Sequence, residues 1–317
     1  MREHLKEYID ESKTASVRGL RILLEYFYAT EIFEPIVRDD IKIISVFGSA
    51  RTKEGTPEYA AAYELGKCLY RDGFAVVTGA SCGIMQAANQ GVADQIAQSL
   101  AEIGKAPTIE AARRTKVYQK FLKKYSVGLK ISLPFEANNN PFVGVYATFH
   151  YFMVRKFFFG TLSSGFIACE GGWGTRDELF EMLTLVQTGK APLMPILYVS
   201  ADPEHLLRDI HFTAEKGYIH REDVRLLEVV PTAREAAAKV KQFYKRIDRI
   251  VQMRHGFIRI YLKEPLEPSL KDEVMKTCES LIEELGPYGI YPKRVDFTNF
   301  PHRSYGFMRQ VIDIINR

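Results

Sequence analysis

Cysteine and long apolar runs are scarce in this 317-residue sequence. Its four cysteines, Cys68, Cys82, Cys169 and Cys278, form no Cys-x-x-Cys pair, and no histidine stands at zinc-ligand spacing. This pattern predicts a reducing compartment and no metal site. No run approaches the ~20 apolar residues that cross a bilayer, and residues 1–7 lack the apolar core of a signal peptide. We therefore expect a cytoplasmic protein with no membrane partner.

The sequence also lacks a large excess of positive or negative charge. The net charge is +4, with 26% charged and 46% hydrophobic residues. Nucleic-acid binders usually show a stronger basic bias, so nucleic acid is not expected as a partner. The chain contains no Gly-x-Gly-x-x-Gly string, so a nicotinamide dinucleotide is unsupported and no cofactor is predicted.

Short apolar runs alternate with helical patterns through the middle of the chain. Strands are predicted at residues 41–47, 74–78, 127–133, 165–169, 192–199 and 226–230, and the helices that matter here at 57–71, 179–187, 203–216 and 232–247. Residues 142–159 are dense in aromatics and close with Met153, Arg155 and Lys156 within a helix-like run. The alternation predicts an α/β fold with a doubly wound, Rossmann-like parallel sheet.

The two ends of the chain differ from this pattern. Residues 1–40 are predicted to form an N-terminal helical segment, with an apolar stripe that another surface must cover. A Rossmann-like nucleotide-binding domain is predicted at 41–250, with a basic helical insertion at 95–125. Residues 251–317 are predicted to form a small α+β appendage, with strands at 257–262 and 294–297 and helices at 269–285 and 305–315.

Three glycines within residues 171–174 join a predicted strand to a predicted helix. Glycine lets the backbone of Gly171, Gly172 and Gly174 approach an anion at the positive end of a helix, which favours a phosphate site. Two alternatives need no ligand. Thr175 and Glu178 have the spacing of a capping box, and the glycines could form a plain tight turn.

Two further small-residue loops follow predicted strands. Gly48 and Ser49 end the first strand, and Gly79 and Gly83 follow the second. Carboxyl ends of parallel strands are where an open α/β sheet receives its ligand. Arg51 could join this site or be an exposed loop charge. The polar loop at 136–141 could supply amide contacts to ribose or base, although its residue types are also ordinary in loops.

Residues 171–178, Gly-Gly-Trp-Gly-Thr-Arg-Asp-Glu, resemble the Pro-Gly-Gly-x-Gly-Thr-x-x-Glu signature of the LONELY GUY (LOG) family, often labelled lysine decarboxylases. Residues 153–156, Met-Val-Arg-Lys, resemble the family's Met-x-Arg-Lys element, and residues 77–85 its second glycine loop. Glu170 occupies the place of the family's proline. A carboxylate there would repel a phosphate unless it points away or pairs with Arg176 or Arg155.

The resemblance implies a phosphoribohydrolase, which cleaves the N-glycosidic bond of a nucleoside 5'-monophosphate to give free base and ribose 5-phosphate. It implies that Arg155 and Glu178 are catalytic. It also implies a homodimer or higher homo-oligomer. The expected substrate and phosphate contacts are Gly48, Ser49, Gly79, Gly83, Met153, Lys156, Gly171, Gly172, Gly174 and Thr175.

Two other functions are weighed against this one. A nucleotide-binding sensor or carrier on the same fold would use the same loops without hydrolysis. A lysine decarboxylase has less support, because no lysine is identified with the partners of pyridoxal phosphate. The motif leaves the preferred base open among adenine, N6-modified adenine, other purines and pyrimidines.

Overall fold

A seven-stranded parallel sheet lies at the centre of the fold. The computed structural model describes residues 15–133, 140–253, 256–301 and 305–317. The strands stand in the order β4-β3-β2-β1-β5-β6-β7. They are β1 Ile43–Phe47, β2 Ala75–Thr78, β3 Ser126–Ile131, β4 Val145–Phe149, β5 Ser163–Cys169, β6 Ile196–Val199 and β7 Leu227–Val230. Every pairing in this sheet is parallel, which confirms the predicted Rossmann-like fold class.

Helices connect successive strands. They are α1 Ala15–Arg38, α2 Pro57–Arg71, α3 Ile84–Glu102, α4 Ile109–Arg113, α5 Lys116–Tyr125, α6 Phe152–Leu162, α7 Trp173–Gln187, α8 Glu204–Glu215 and α9 Ala233–Phe243, and a 3-10 helix spans Arg221–Leu226. All residues of β1, β2 and β6 are buried, because both faces of the sheet are covered. This explains why these strands read as uninterrupted apolar runs.

The order of strands reverses next to β1. This strand pairs with β2 on one side and with β5 on the other. The loops after β1 and β5 therefore diverge from neighbouring strand ends and leave a crevice at the carboxyl edge of the sheet. The glycine loops predicted from the sequence follow β1, β2 and β5, so all three open at this edge.

The helix-like run predicted at Met153, Arg155 and Lys156 is confirmed, because these residues lie in α6. The edge strand β4, which precedes it in the aromatic segment, was not predicted. Tyr146 on β4 is half exposed, so the strand shows neither clean alternation nor a fully apolar run. The strand predicted at 192–199 is shorter in the structure and begins at Ile196.

A second, antiparallel sheet follows α9 and has the order β10-β11-β9-β8. Its strands are β8 Ile247–Met253, β9 Phe257–Leu262, β10 Tyr288–Tyr291 and β11 Arg294–Phe297, accompanied by α10 Pro268–Ser280, α11 Ile282–Leu285 and α12 Tyr305–Ile315. The predicted strands at 257–262 and 294–297 are confirmed, whereas β8 and β10 were not predicted. The helix predicted at 232–247 ends at Phe243. The division of the chain at residues 40 and 250 stays a prediction.

Helix α12 follows the antiparallel sheet in the chain but packs against the 3-10 helix and β7, next to the parallel sheet. Its Gly306 lies so close to the main chain of Glu222, in the 3-10 helix, that a side chain there would collide. Arg309 on α12 is buried, and its Nη2 lies 3.2 Å from Oε2 of Glu228 on β7. Asn316 accepts a 2.9 Å bond from the main-chain N–H of Arg246. One hydrophobic core includes residues of both sheets.

Helix α1 leaves much of its apolar surface open. Phe27 is 63% exposed and Leu23 53% exposed. Tyr26 packs on Phe157 of α6, with ring centroids 5.5 Å apart. Residues 1–14 of the predicted N-terminal segment lie outside the described residues. Among the helices that are described, none is both long and apolar enough to cross a membrane.

Candidate active site at the carboxyl edge of the parallel sheet

The glycine turn after β5 leads directly into α7. The helix begins at Trp173, and its N-cap residue is Gly172, which has no side chain to cap the first turn. Thr175 is therefore inside the helix rather than at its N-cap, so the capping box of Thr175 and Glu178 does not form. The first N–H groups of a helix have no intrahelical partner, so this end can receive an anion.

Glu178 forms a buried ion pair instead. Its side chain is only 3% exposed, and Oε1 lies 2.9 Å from Nη2 of Arg155. Nζ of Lys156 lies 3.8 Å from Oε2 of the same carboxylate and also contacts Asp177 at 3.0 Å and Glu181 at 2.5 Å. Two cations from α6 thus hold the one carboxylate from α7.

Burial sets the acidity of this carboxyl group. It raises the pKa of Glu178 above its ordinary value, while the Arg155 and Lys156 cations oppose the shift. Burial lowers the pKa of Lys156, but hydrogen bonds to Glu181 and Asp177 outweigh it and leave that pKa raised. A carboxyl group with a raised pKa beside a crevice has the character of a general acid or base.

Arg155 lies between aromatic rings and the second glycine loop. Its guanidinium carbon is 5.0 Å from the ring centre of Phe152 and 5.8 Å from that of Phe159. A side chain added at Gly79 would come within 3.8 Å of Nη1. Within the described ranges, the buried Nε of Arg155 has no hydrogen-bond acceptor. A donor left unpaired at such a position is suited to a ligand oxygen.

Ser49 joins the three loops through its main chain. Its N–H donates to the carbonyl oxygen of Glu170 at 3.0 Å, and its own carbonyl accepts from the N–H of Ile84 at 3.1 Å. Gly83 has a positive φ of 67°, and a side chain there would collide with the main chain of Ser49. The loops after β1, β2 and β5 are therefore one hydrogen-bonded unit, although they are far apart in sequence.

The carboxylate of Glu170 points toward β6. Ser200, immediately after that strand, donates from Oγ to Oε1 of Glu170 at 2.5 Å. The side chain is thus held by a neutral hydroxyl rather than by Arg176 or Arg155, the two cations considered from the sequence. This hydrogen bond turns the charge aside from the glycine turn.

The remaining predicted residues differ in their surroundings. Thr175 is buried, and Gly172 and Gly174 have open space where a side chain would stand. Gly48 packs on Ile84, while Met153 is 63% exposed and Arg51 is exposed. Of the polar loop, residues 134–139 lie outside the described residues.

Two site features, Ser200 and Phe152, were not found from the sequence. Ser200 was missed, and only its place after a predicted strand could have indicated it. Phe152, which stacks on Arg155, was hidden among many neighbouring aromatics. Asn140 was considered as a ligand contact, but its Nδ2 donates to the buried Oδ1 of Asn89 at 2.9 Å.

Fold and site together define a class: a Rossmann-like α/β protein with a glycine-lined crevice at the switch point of its sheet. Two family profiles match this chain. The profile described as "Possible lysine decarboxylase" matches residues 85–240, and the one described as "SLOG cluster4 family" matches residues 41–119. The chain is similar to proteins of the LONELY GUY (LOG) family.

Curated relatives carry names from cytokinin metabolism. A "Bifunctional cytokinin biosynthesis protein" of Fusarium pseudograminearum is 24% identical over 70% of this chain and 46% of its own length. "Cytokinin riboside 5'-monophosphate phosphoribohydrolase LOG" of Oryza sativa subsp. japonica is 33% identical over 28% of this chain and 37% of its own. The chain spans about half the length, or less, of these relatives.

Solved structures with a related arrangement include a molybdenum cofactor carrier protein from Chlamydomonas reinhardtii. It is 21% identical, covers 64% of this chain and 97% of its own, and has a TM-score of 0.41. The molybdenum cofactor binding protein of Rippkaea orientalis is 20% identical, with coverage of 63% and 94% and a TM-score of 0.39. We draw no functional conclusion from similarity at this level.

Proposed function

We propose that this protein hydrolyses the N-glycosidic bond of a nucleoside 5'-monophosphate to give free base and ribose 5-phosphate. The observation that carries the proposal is the buried pair of Arg155 and Glu178, with Nη2 and Oε1 2.9 Å apart, beside a helix that starts from a glycine turn. A carboxylate, a cation and an anion site are the three groups that this reaction needs.

The 5'-phosphate would bind at the start of α7. Gly172 and Gly174 leave room for it, and Thr175 adds a hydroxyl. Each charge-assisted hydrogen bond to a phosphate contributes about 1.5 to 3 kcal/mol. Nucleosides without the phosphate should therefore be poor substrates. The hydrogen bond between Ser200 and Glu170 supports this role, because it turns the carboxylate away from the turn.

Glu178 would act at the sugar. As a carboxylate it stabilises the oxocarbenium-like carbon and orients or deprotonates the attacking water, while Arg155 binds substrate or assists the departing base. Proton transfer supplies only about two to four orders of magnitude of rate. Positioning and electrostatic stabilisation in the crevice would supply the rest.

The curated relatives support this choice of reaction. Several that share about a third of their residues with this chain over short stretches are named cytokinin riboside 5'-monophosphate phosphoribohydrolases. We propose the broader class of nucleoside 5'-monophosphates as substrates. The preferred base is set by the shape of the crevice.

We also propose a cytoplasmic homodimer or larger homo-oligomer. Phe27 on α1 and Phe152 and Phe157 on α6 each expose about half of the side chain or more, and Phe152 lies beside Arg155. Burying these side chains against a second copy would contribute about 25 cal/mol per Å² of apolar area removed from water. Sedimentation at several protein concentrations measures the assembly, and Phe27→Ser should shift it toward monomer.

Chromatography of reaction products tests the proposed activity. Purified protein is incubated with a panel of nucleoside monophosphates and the matching nucleosides, and free base and ribose 5-phosphate are quantified. We expect release from monophosphates alone. Glu178→Gln should lower the rate by about a hundredfold or more while the fold is retained.

The result that contradicts the proposal is equally direct. If folded wild-type protein binds monophosphates tightly but releases no base from any of them, hydrolysis is excluded for this panel. The chain is then a nucleotide sensor or carrier. Retained activity in Glu178→Gln would instead remove Glu178 from the mechanism.

A further inference from the structure

A second cleft lies at the opposite edge of the parallel sheet. It has a volume of about 640 Å³ and opens where β1 and β2 begin, whereas the candidate active site lies where they end. Four lysines line it: Lys42 precedes β1, Lys241 and Lys245 belong to α9 and the turn after it, and Lys263 follows β9. The cleft thus lies between the two sheets.

The lysines in this cleft exceed their acidic partners. Lys241 is paired with Asp72 at 2.5 Å. Lys245 donates to a main-chain oxygen of Arg317, the last residue of the sequence, and Lys263 donates to the carbonyl oxygen of Tyr244. Lys42 reaches only to 4.0 Å from a carboxylate oxygen of Asp248. In the described part of the chain, Lys42 and Lys263 therefore have no carboxylate within hydrogen-bond distance, although Asp40 also lines the cleft.

Lys42 is largely buried in this cleft, with its side chain only 22% exposed. Burial lowers its pKa, and the Asp248 and Asp40 carboxylates oppose that shift. The nearby Lys263 and Arg249 cations lower the pKa to a smaller extent. An anion placed between Lys42 and Lys263 would relieve the repulsion between two like charges.

We infer that this cleft binds a small polyanion that carries two or more phosphoryl groups. Its volume is within the range of small-molecule sites, about 300 to 1,000 Å³. Phosphoryl oxygens accept hydrogen bonds from several ammonium groups at once. The Nζ of Lys42 lies 5.1 Å from the ring centre of Tyr244 and covers its face, so the ring is closed to stacking by a base. Charge, rather than a base, is what this cleft recognises.

Titration calorimetry with inorganic tripolyphosphate tests the inference. Wild-type protein should bind it saturably, and more weakly as salt is raised. The double variant Lys42→Met, Lys263→Gln should bind about tenfold or more weakly. A matched control, Lys120→Gln with Lys123→Gln, removes the same charge from exposed positions on α5 and should bind like wild type. Melting curves without ligand establish that all variants are folded.

Amine labelling identifies where the anion binds. Tripolyphosphate should protect Lys42, Lys245 and Lys263 from acetylation and leave Lys120 reactive. The candidate active site could also bind it, so Gly174→Ala, which narrows the glycine turn, should leave this protection unchanged. Equal binding by both double variants, protection lost in Gly174→Ala, or no saturable binding by wild type would each overturn the inference.

Discussion

Arg155 and Glu178 are brought together by the strand that separates them in sequence. Arg155 lies on α6, which runs directly into β5, and Glu178 lies on α7, which follows β5 after the glycine turn. A central strand of the sheet therefore fixes the 2.9 Å contact between Nη2 and Oε1. Buried ion pairs contribute little net stability. A role in the crevice that the pair borders therefore explains its presence better than a contribution to the stability of the core.

The pH dependence of activity should report the carboxyl group of Glu178. In the proposed mechanism the carboxylate is the active form, so kcat/KM should rise with pH through a pKa above the ordinary glutamate value of about 4.3. Because Lys156 lowers this pKa, Lys156→Met should move the rising limb to higher pH. The exposed Lys190→Met is the control. An unmoved limb in Lys156→Met would contradict the assignment.

Ionisation of Glu178 should lower the stability of the fold as pH rises, whereas it should raise the activity. Its pKa is raised in the folded protein, so its contribution to stability is fully present below the ordinary glutamate pKa. It is lost as pH rises through the raised value. Denaturant unfolding of wild type and Glu178→Gln across acidic and neutral pH should therefore show the variant gaining relative stability with pH. A difference that is constant with pH would refute the shift.

Gly174→Ala should separate stability from phosphate binding. Gly174 is inside α7, and nothing lies within 4 Å of an added side-chain atom. Alanine should stabilise the helix by about 0.5 to 1 kcal/mol. The methyl group would also occupy the proposed phosphate site, so the KM for monophosphates should rise. Gly19→Ala on α1 is equally open and should stabilise without any kinetic effect.

Gly83→Ala should damage both fold and activity. Gly83 and Gly104 have similar positive φ values, 67° and 71°. A positive φ costs alanine about 1 to 2 kcal/mol, and the ψ of −132° at Gly83 lies outside the left-handed helical region, which raises the cost there. Only Gly83 lies against the main chain of Ser49, so Gly83→Ala should unfold at clearly lower denaturant concentration and lose activity. Equal losses in the two variants would show that the contact with Ser49 is unimportant.

Glu170→Gln tests the charge beside the glycine turn. Glutamine keeps an acceptor for the hydroxyl of Ser200 and removes the negative charge. We expect the KM for monophosphates to fall by a few fold, and less so at high salt. Glu215→Gln removes an exposed charge from α8 and serves as the control. No change in KM would mean that the hydroxyl of Ser200 already isolates the carboxylate.

Much of the parallel sheet could be predicted because its strands are buried on both faces. Uninterrupted apolar runs such as those of β1 and β5 have few interpretations other than a buried strand. The glycine loops that follow them predicted the edge of the sheet at which the site lies. The edge strands β4 and β10 escaped prediction, because exposed or partly exposed residues such as Tyr146 and Ile290 remove the alternating pattern of burial. β8 was missed because Ile247 continued the apolar spacing of α9.

The contacts within the site were less predictable. Ser49 forms hydrogen bonds with Glu170 and Ile84 through main-chain atoms. Such bonds do not depend on the residue type, so the sequence does not indicate them. The pairing of Thr175 and Glu178 was equally compatible with a capping box until the start of α7 was known. Ser200 acts on a residue 30 positions away, and only the adjacency of β5 and β6 brings the two together.

The contacts of helix α12 couple the unfolding of the two sheets. The antiparallel sheet is joined to the rest of the molecule at α9 and again at α12, through Arg309 and Asn316. A segment that is attached to the rest of the molecule at both ends cannot rotate as a rigid body about a single hinge. Loosening it would expose the core that it shares with the parallel sheet. We therefore expect both sheets to melt in one cooperative transition.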